Sequence, residues 1–423
     1  MARLILHVSD WTEGGAARAA ARLQAALRQS TPHTVRWLAC GGPDGAGAEK
    51  PPAWTPLGTI LLEKLVQRLE RRFRAGSERC LHALMQRTCG RNTLAALERL
   101  RPAVLHLHNL HRVLGWSFLE QLPAVPLVWT LHDMWPLTGY CCFSGGCEKY
   151  RDGCAGTCPE MGRWGPALRA PAVEWQRRSR WFRRRKFQLV FVAPSRWICS
   201  AARARCPQHV RVIHVPNCVP LDTYRPLAER QHLREALGLP RAGFVFLAGA
   251  ASLSDPHKGF ADLAAAVDRL RSVAPGRWTM AFFGATGKGV KIPPDCIFLG
   301  TIRDERFLAL YYAVADAFVH PATSDNFPNT LLEAMACGTP CITSDAGGCA
   351  EIVRDGVTGY VVPRGDVDAL AAAMRRLLQT PPDVLASMRS ESRRLAEEEY
   401  SPAGQAGRMA EIYCELFEAP QDG

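Results

Sequence analysis

Short apolar, β-branched runs alternate along the chain with longer stretches of helical period. The runs are Leu4–Val8, Val35–Ala39, Ala103–His108, Pro126–Leu131, Leu189–Ala193 and Val210–Val215. A second series follows at Phe244–Ala248, Trp278–Phe283, Ile297–Gly300, Ala317–His320, Pro340–Ser344 and Tyr360–Val362. Such runs read as strands buried on both faces, and the segments between them are long enough for crossover helices. The pattern predicts two α/β units, each with a mostly parallel sheet. The break falls near Pro216–Arg241, where Pro216, Pro220, Pro226 and Pro240 cluster and after which the strand series restarts. The domains expected are 1–215 and 216–385, with a helical segment, 386–423, that can return to the first.

Composition narrows the class. The chain has 423 residues, 47% hydrophobic and 22% charged, which excludes disorder and collagen-like repeats for most of its length. No stretch approaches the roughly 18 apolar residues of a membrane span. The opening MARLILHVSDW reads as a first strand and not a signal peptide, so a cytoplasmic protein is expected. The net charge of +12 favours acidic partners. It is concentrated, because Arg163–Phe187 holds nine cations against the single Glu174.

Two segments carry candidate chemistry. In the first, a strand ends at His320–Pro321, a loop holds Asp325, and Asn326-Phe327-Pro328-Asn329-Thr330 opens a helix with Glu333 one turn inside. A helix start at the carboxyl edge of a parallel sheet is a natural anion site. The plainer reading is a capped helix with Glu333 on a solvated face. In the second, Gly249–Gly259 follows the first strand of the second unit, and Lys258 beside Gly259 can pair with a diphosphate.

Asp325-x7-Glu333, followed by Ala334-Met335-Ala336-Cys337-Gly338-Thr339-Pro340, resembles the E-x7-E signature of family 4 glycosyltransferases. The resemblance extends to Lys258-Gly259, Pro216-Asn217 with Asp222, Asp355-Gly356-x-Thr358-Gly359, Gly14-Gly15 and Thr130-Leu131-His132-Asp133, in the family's order over most of the chain. It implies the GT-B fold, two Rossmann-like domains facing across a cleft, with acceptor in 1–215 and donor in 216–385. It implies retaining transfer of a hexose from a nucleotide-diphosphate sugar. Glu333 would bind the ribose, Asp325 the donor sugar, and Lys258 the diphosphate, helped by amides near Asn329 and Thr330. His132 would lie beside the reacting centre, and the Gly14-Gly15 loop would close over the donor. Two departures stand out. Asp325 replaces a Glu, and Ser252 stands where the family has an Arg, for which Arg18 or Lys288 could substitute. Lys258 and a helix dipole can stabilise a leaving diphosphate, so transfer is expected to require no cofactor. No activated enzyme nucleophile is evident, as same-face attack would predict.

Five cysteines crowd residues 139–160. Cys141, Cys147, Cys154 and Cys158 sit on a Gly-rich loop whose four thiolates suit a structural tetrahedral zinc. An iron–sulfur cluster, disulfides and metal-free thiols remain open. His106, His108 and His111 are expected at the carboxyl end of a sheet, lining the interdomain cleft. In Arg163–Phe187, Leu168, Ala172, Trp175 and Phe182 share a helical face among arginines, which fits either an anionic membrane surface or an ordinary packed helix. In Leu62–Arg79 the cations are partly offset by Glu63, Glu70 and Glu78, and the stretch reads as a solvated helix. The expected partners are a nucleotide sugar, a glycan or lipid-linked acceptor and, on the membrane reading of Arg163–Phe187, an anionic membrane surface, in surface polysaccharide biosynthesis. Rivals are a nucleotide-sugar epimerase, a glycoside phosphorylase or a basic nucleic-acid-binding protein. No RNP, finger or helix-turn-helix pattern supports the last, and no nucleic acid is expected.

Overall fold

Each apolar run becomes a strand. The computed structural model describes residues 2–41, 49, 77–111, 113–155, 158, 170–184, 188–274, 276, 278–287 and 290–418. Within the stretches singled out above, residues 62–76, 163–169, 185–187 and 288 lie outside them. In chain order the elements are β1 (Leu4–Trp11), α1 (Gly15–Ser30), β2 (Thr34–Gly41), α2 (Ser77–Leu100), β3 (Val104–Leu107), α3 (Gly115–Glu120), β4 (Leu127–Thr130), α4 (Ala170–Arg184), β5 (Leu189–Ala193), α5 (Arg196–Arg205) and β6 (Arg211–His214). There follow α6 (Arg230–Ala236), β7 (Phe244–Ser252), a 3-10 turn at Pro256–Lys258, α7 (Phe260–Val273), β8 (Trp278–Ala285), β9 (Ile297–Phe298), α8 (Glu305–Val314) and β10 (Ala317–His320). Last come α9 (Asn329–Ala336), β11 (Cys341–Ser344), α10 (Cys349–Ile352), β12 (Gly359–Val362), α11 (Val367–Leu378), α12 (Pro382–Glu399) and α13 (Pro402–Glu418).

The chain divides into two units: Met1–Ala193 with Cys199–Val215 and Ala406–Gly423, and Pro194–Ile198 with Pro216–Gln405. Unit 1 is a parallel sheet in the order β2-β1-β3-β4-β5-β6. The Ala-rich α1 is a strong helix former and packs Leu23, Ala26 and Leu27 against Ile5, Val35 and Val104. Helix α13 closes the same cluster with Met409, Ile412, Tyr413 and Leu416. Another part of the core is aromatic. Trp116 lies 6.0 Å from Trp129 and 5.7 Å from Trp135 between ring centroids. Pairs of this kind contribute about 0.5–1.5 kcal/mol each beyond their buried area.

Unit 2 is a parallel sheet in the order β12-β11-β10-β7-β8-β9. One cluster holds Phe246, Leu263, Val267 and Met374; the other holds Leu247, Tyr312, Leu331 and Met335. Successive strand residues point to opposite faces, so Phe246 and Leu247 enter different clusters. In each sheet the strand order reverses once, between β1 and β3 and between β7 and β10. Loops diverge at such a point and leave room for a ligand.

Candidate active site

At the reversal point of unit 2 two loops meet. The turn after β7 is capped by Asp255, whose Oδ1 accepts from His257 N at 3.0 Å. The loop after β10 docks on that turn, with Thr323 N donating to His257 O at 2.9 Å and Thr323 Oγ1 donating to Pro256 O at 3.1 Å. Gly259 makes the approach possible, with φ +67 and a hypothetical Cβ only 1.8 Å from Pro321 O. This docking brings Lys258 Nζ to 2.6 Å from Asp325 Oδ2. His320 Nε2 lies 3.2 Å from the same oxygen. Asp325 Oδ1 accepts from Asn326 N at 2.9 Å, and Asn326 Oδ1 accepts from Ser195 Oγ at 2.6 Å.

Burial alone would raise the Asp325 carboxyl, but Lys258 and His320 outweigh it and hold the group well below the usual carboxylate range. Burial alone would likewise lower Lys258, but Asp325 keeps the ammonium above its ordinary value. Burial dominates at His320 and lowers it. The site is therefore a charged Lys–Asp pair with a neutral imidazole behind it.

Helix α9 opens beside this loop, but not as the sequence predicts. Pro328, with φ −68 and ψ 121, is itself the N-cap and no side chain caps the helix. Asn326 is instead spent on Ser195. Thr330 Oγ1 is buried without a hydrogen-bond partner among the described residues. Glu333 is fully buried, and its Oε2 accepts from Tyr312 Oη at 3.1 Å. The solvated-face reading of Glu333 is thus wrong, because the α9 face carrying it turns toward Tyr312 on α8. Ser252 Oγ is 2.8 Å from Ser254 Oγ.

The reversal point of unit 1 forms a cavity of about 410 Å³ lined by Asp10, Trp11, Gly14, Gly15, His108 and His111, among others. Gly14 has φ 94 and ψ 175, a conformation essentially restricted to glycine, and it starts α1. Asp10 fixes the far wall, accepting from Val113 N at 2.9 Å and Leu114 N at 3.0 Å. His132 stands at the end of a row of histidines, with its Nε2 2.9 Å from His108 Nδ1. His106 does not line this cavity; it is buried inside β3. Asp133, buried beside His132, has its carboxyl raised to about 6 by burial, opposed by the Trp135 amide and Arg178.

The histidine row predicts an acid-sensitive fold. Burial lowers His7 to about 3 and His132 to about 4, and places His106 and His108 well below 6.5. The unfolded chain takes up these protons near pH 6.5 and the folded chain does not. The stability these rings contribute is therefore complete above that pH and falls below it, by about 1.4 kcal/mol per pH unit for each ring. Asp133 opposes one ring below pH about 6, since its folded form binds the proton first. Urea unfolding should show stability dropping between about pH 6.5 and about pH 5, above the carboxylate range. A flat profile there would refute it.

Cys141, Cys147, Cys154 and Cys158 line one pocket with Ser144, Lys149 and Tyr150. Gly145, Gly146, Gly153 and Cys154 all have positive φ, which coils the loop around the thiols. Gly139 N donates to Cys154 Sγ at 3.3 Å. The donor set, all sulfur and without carboxylate, fits a structural zinc. The thiols are nonetheless spread: the described trios with ligand atoms within 4.8 Å of one another are His7, His106 and His108, and His111, Asp133 and Cys142. The described cysteines are free thiols, so the disulfide option is not realised among them.

Helix α4 braces this loop. Arg178, buried, donates to Trp135 O and Thr138 O and lies 4.5 Å over the Trp135 ring. Trp175 Nε1 donates to Tyr150 O at 2.6 Å, and Phe182 is buried. The aromatic face is thus packed into unit 1. Arg180, Arg183 and Val173 stay exposed. Sequence reading missed His7, His320, Tyr312 and Arg178. The spacing of two that puts His106 and His108 on one strand face was legible, but the alignment of His7 with His106 across β1 and β3 is a matter of sheet register.

Comparison with known proteins places these features. The model described as Glycosyltransferase Family 4 matches residues 13–223, and that described as Glycosyl transferases group 1 matches residues 244–380. The chain is 30% identical over 353 residues to the D-inositol 3-phosphate glycosyltransferase of Thermobispora bispora, covering 77% of this chain and 73% of that one. It is 27% identical over 361 residues to a protein of Escherichia coli (strain K12) named as a colanic acid biosynthesis glycosyl transferase, WcaC, covering 81% and 83%. The structure of Anabaena HepE in complex with UDP and glucose aligns with a TM-score of 0.66 at 18% identity, covering 97% and 99%. Two doubly wound parallel units with these relatives define a GT-B glycosyltransferase, an enzyme of the hexosyltransferase class. The chain belongs to glycosyltransferase family 4. No helix among the described residues is long and apolar enough to cross a membrane.

Proposed function

We propose that this enzyme retains anomeric configuration while moving a hexose from a nucleoside-diphosphate sugar to a glycan or lipid-linked oligosaccharide in surface polysaccharide assembly. The carrying observation is the 2.6 Å Lys258–Asp325 pair at the reversal point of the second sheet, beside the opening turn of α9. A cation and a helix start suit a diphosphate, and the adjacent carboxylate suits sugar hydroxyls. The names of WcaC and of the HepE complex agree with a polysaccharide setting and a nucleotide-sugar donor.

In the proposed step the bond from the sugar's anomeric carbon to the diphosphate oxygen breaks, and its electron pair leaves on that oxygen. The acceptor hydroxyl forms the new bond on the same face and passes its proton to the departing phosphate. Lys258 and the amides of Asn329 and Thr330 stabilise the developing charge. Asp325 orients the sugar. Glu333, held by Tyr312, takes the ribose, and donor binding has to uncover it because it is fully buried. His132 and the Gly14-Gly15 loop act from the acceptor domain, residues 1–215; the donor domain is 216–385, followed by the helical segment 386–423.

Thermal-shift titration with UDP-, GDP- and ADP-sugars tests the reading. A true donor at a hundredfold excess over its Kd stabilises the fold by about 2.7 kcal/mol, and Glu333→Ala abolishes that response. Silence toward every nucleotide sugar would count against it.

Cys141, Cys147, Cys154 and Cys158 are proposed to hold a structural zinc that fixes the loop after His132. Metal analysis of purified protein should find about one zinc per chain, lost in the Cys147→Ser/Cys154→Ser variant. Contact with an anionic membrane surface is proposed through Arg180, Arg183 and Val173 on α4, at the cytoplasmic face of the membrane.

A further inference from the structure

Three imidazoles cross the first sheet in a line. His7 on β1, His108 just after β3 and His132 just after β4 come from neighbouring strands. His7 Nδ1 lies 3.0 Å from His108 Nε2, and His108 Nδ1 lies 2.9 Å from His132 Nε2. His106 sits beside this line and not in it. Its Nδ1 is 2.6 Å from Tyr413 Oη and its Nε2 is 2.7 Å from Thr130 Oγ1.

The closeness of His7, His106 and His108 invites a metal reading. Hydrogen-bond accounting opposes it. Both nitrogens of His106 and both of His108 are already engaged, so the trio leaves a cation only His7 Nε2.

A neutral imidazole carries one N–H and one lone pair. In a row of neutral rings, each N–H must therefore point the same way. His7 Nε2 is buried with no hydrogen-bond partner among the described residues. If the protons point from His132 inward, that atom is an unpaired buried N–H. If they point outward, it is an unpaired lone pair. Orphaned buried N–H groups are the rarer and costlier case. We infer that His7 and His108 are positioning residues that hold His132 as the Nδ1–H tautomer, with its Nε2 lone pair accepting from His108.

This polarity limits what His132 can do. Its Nε2 lone pair is committed to His108 Nδ1–H, and its Nδ1 already carries a proton. His132 therefore donates a hydrogen bond to an oxygen and does not accept a proton as a general base. That consequence rests on the proposed placement of His132 at the reacting centre; the tautomer itself does not.

The test is two-bond proton–nitrogen NMR of the intact protein labelled with ¹⁵N-histidine, without donor, at a pH above the ordinary imidazole range. The His132 signals are assigned by their loss in His132→Asn. The expected result is a protonated Nδ1 and an unprotonated Nε2 on His132. His7→Asn keeps a donor where His7 Nδ1–H stood, so it should preserve that pattern and near-native turnover. His7→Phe removes the donor, so it should give mixed tautomers and lower kcat about tenfold with the donor KM unchanged. An Nε2–H tautomer in the native protein, or an unchanged His132 pattern in His7→Phe, overturns the inference. Bound metal on the row that alters these nitrogen shifts would do so as well. Absence of transfer with every donor, alongside the expected spectra, would count against the functional reading and leave the inference standing.

Discussion

Lys258→Ala is expected to abolish the response to nucleotide sugars and to destabilise the fold by about 3–5 kcal/mol, the usual cost of leaving one partner of a buried ion pair alone. The reason is local. Asp325 is 11% exposed at its side chain, and its charge is balanced at 2.6 Å by Lys258, itself 27% exposed. His320, lowered by burial, cannot replace the lost cation without taking up a proton in a desolvated place. In the native protein the Asp325 carboxyl is held below its ordinary value, so the stability from this pair is present above about pH 3.8 and lost as the pH falls through the folded-state value. The native–variant gap in urea unfolding should therefore be widest near neutrality and close in strong acid. Lys258→Ala/Asp325→Asn removes both charges and should recover most of the stability without recovering donor binding. A single variant as stable as native, or one still stabilised by a nucleotide sugar, would contradict the assigned roles.

Gly259→Ala should be nearly as damaging, for a steric reason. The residue has φ +67, and an added Cβ would come 1.8 Å from Pro321 O. That carbonyl is backbone and cannot rotate away, so the loops carrying Lys258 and Asp325 must separate. A loss of about 2–4 kcal/mol and of donor response is expected. Gly356→Ala provides the control. Its φ is +74, but nothing lies within 4 Å of the new Cβ. It should cost only the left-handed backbone penalty, about 1–2 kcal/mol, and keep the donor response. Equal losses in the two variants would mean that backbone conformation, and not the close approach of the loops, decides the effect.

The strands were legible because a doubly covered parallel strand has little choice but to be apolar. Leu127–Thr130 and Leu189–Ala193 are buried throughout and read as such from their residues alone. Asp325 and Glu333 were legible as candidates through a motif eight residues apart, which sequence order preserves. Other features were not. Trp175 and Phe182 sit on a helical face surrounded by arginines, and that pattern does not say whether a membrane or the protein covers them. Here Tyr150, Arg178 and Arg205 supply much of the answer: Trp175 donates to Tyr150 O, and Arg205 lies 4.0 Å over its ring. Arg178 looked like one surface cation among nine, yet it is buried against Trp135 and Thr138.

From the residues alone come the two strand series, their parallel character, the glycines at tight turns and the acidic and basic side chains of the candidate site. These are local or periodic properties, written within a few positions of one another. Which polar groups pair with one another was settled only in three dimensions. Lys258 meets Asp325 across 67 residues, His7 meets His108 across 101, and His106 meets Tyr413 across 307. Each of these pairings depends on which strands become neighbours and on how neighbouring strands are aligned. Strand order and register arise from packing whole elements together, and no short window of sequence contains them.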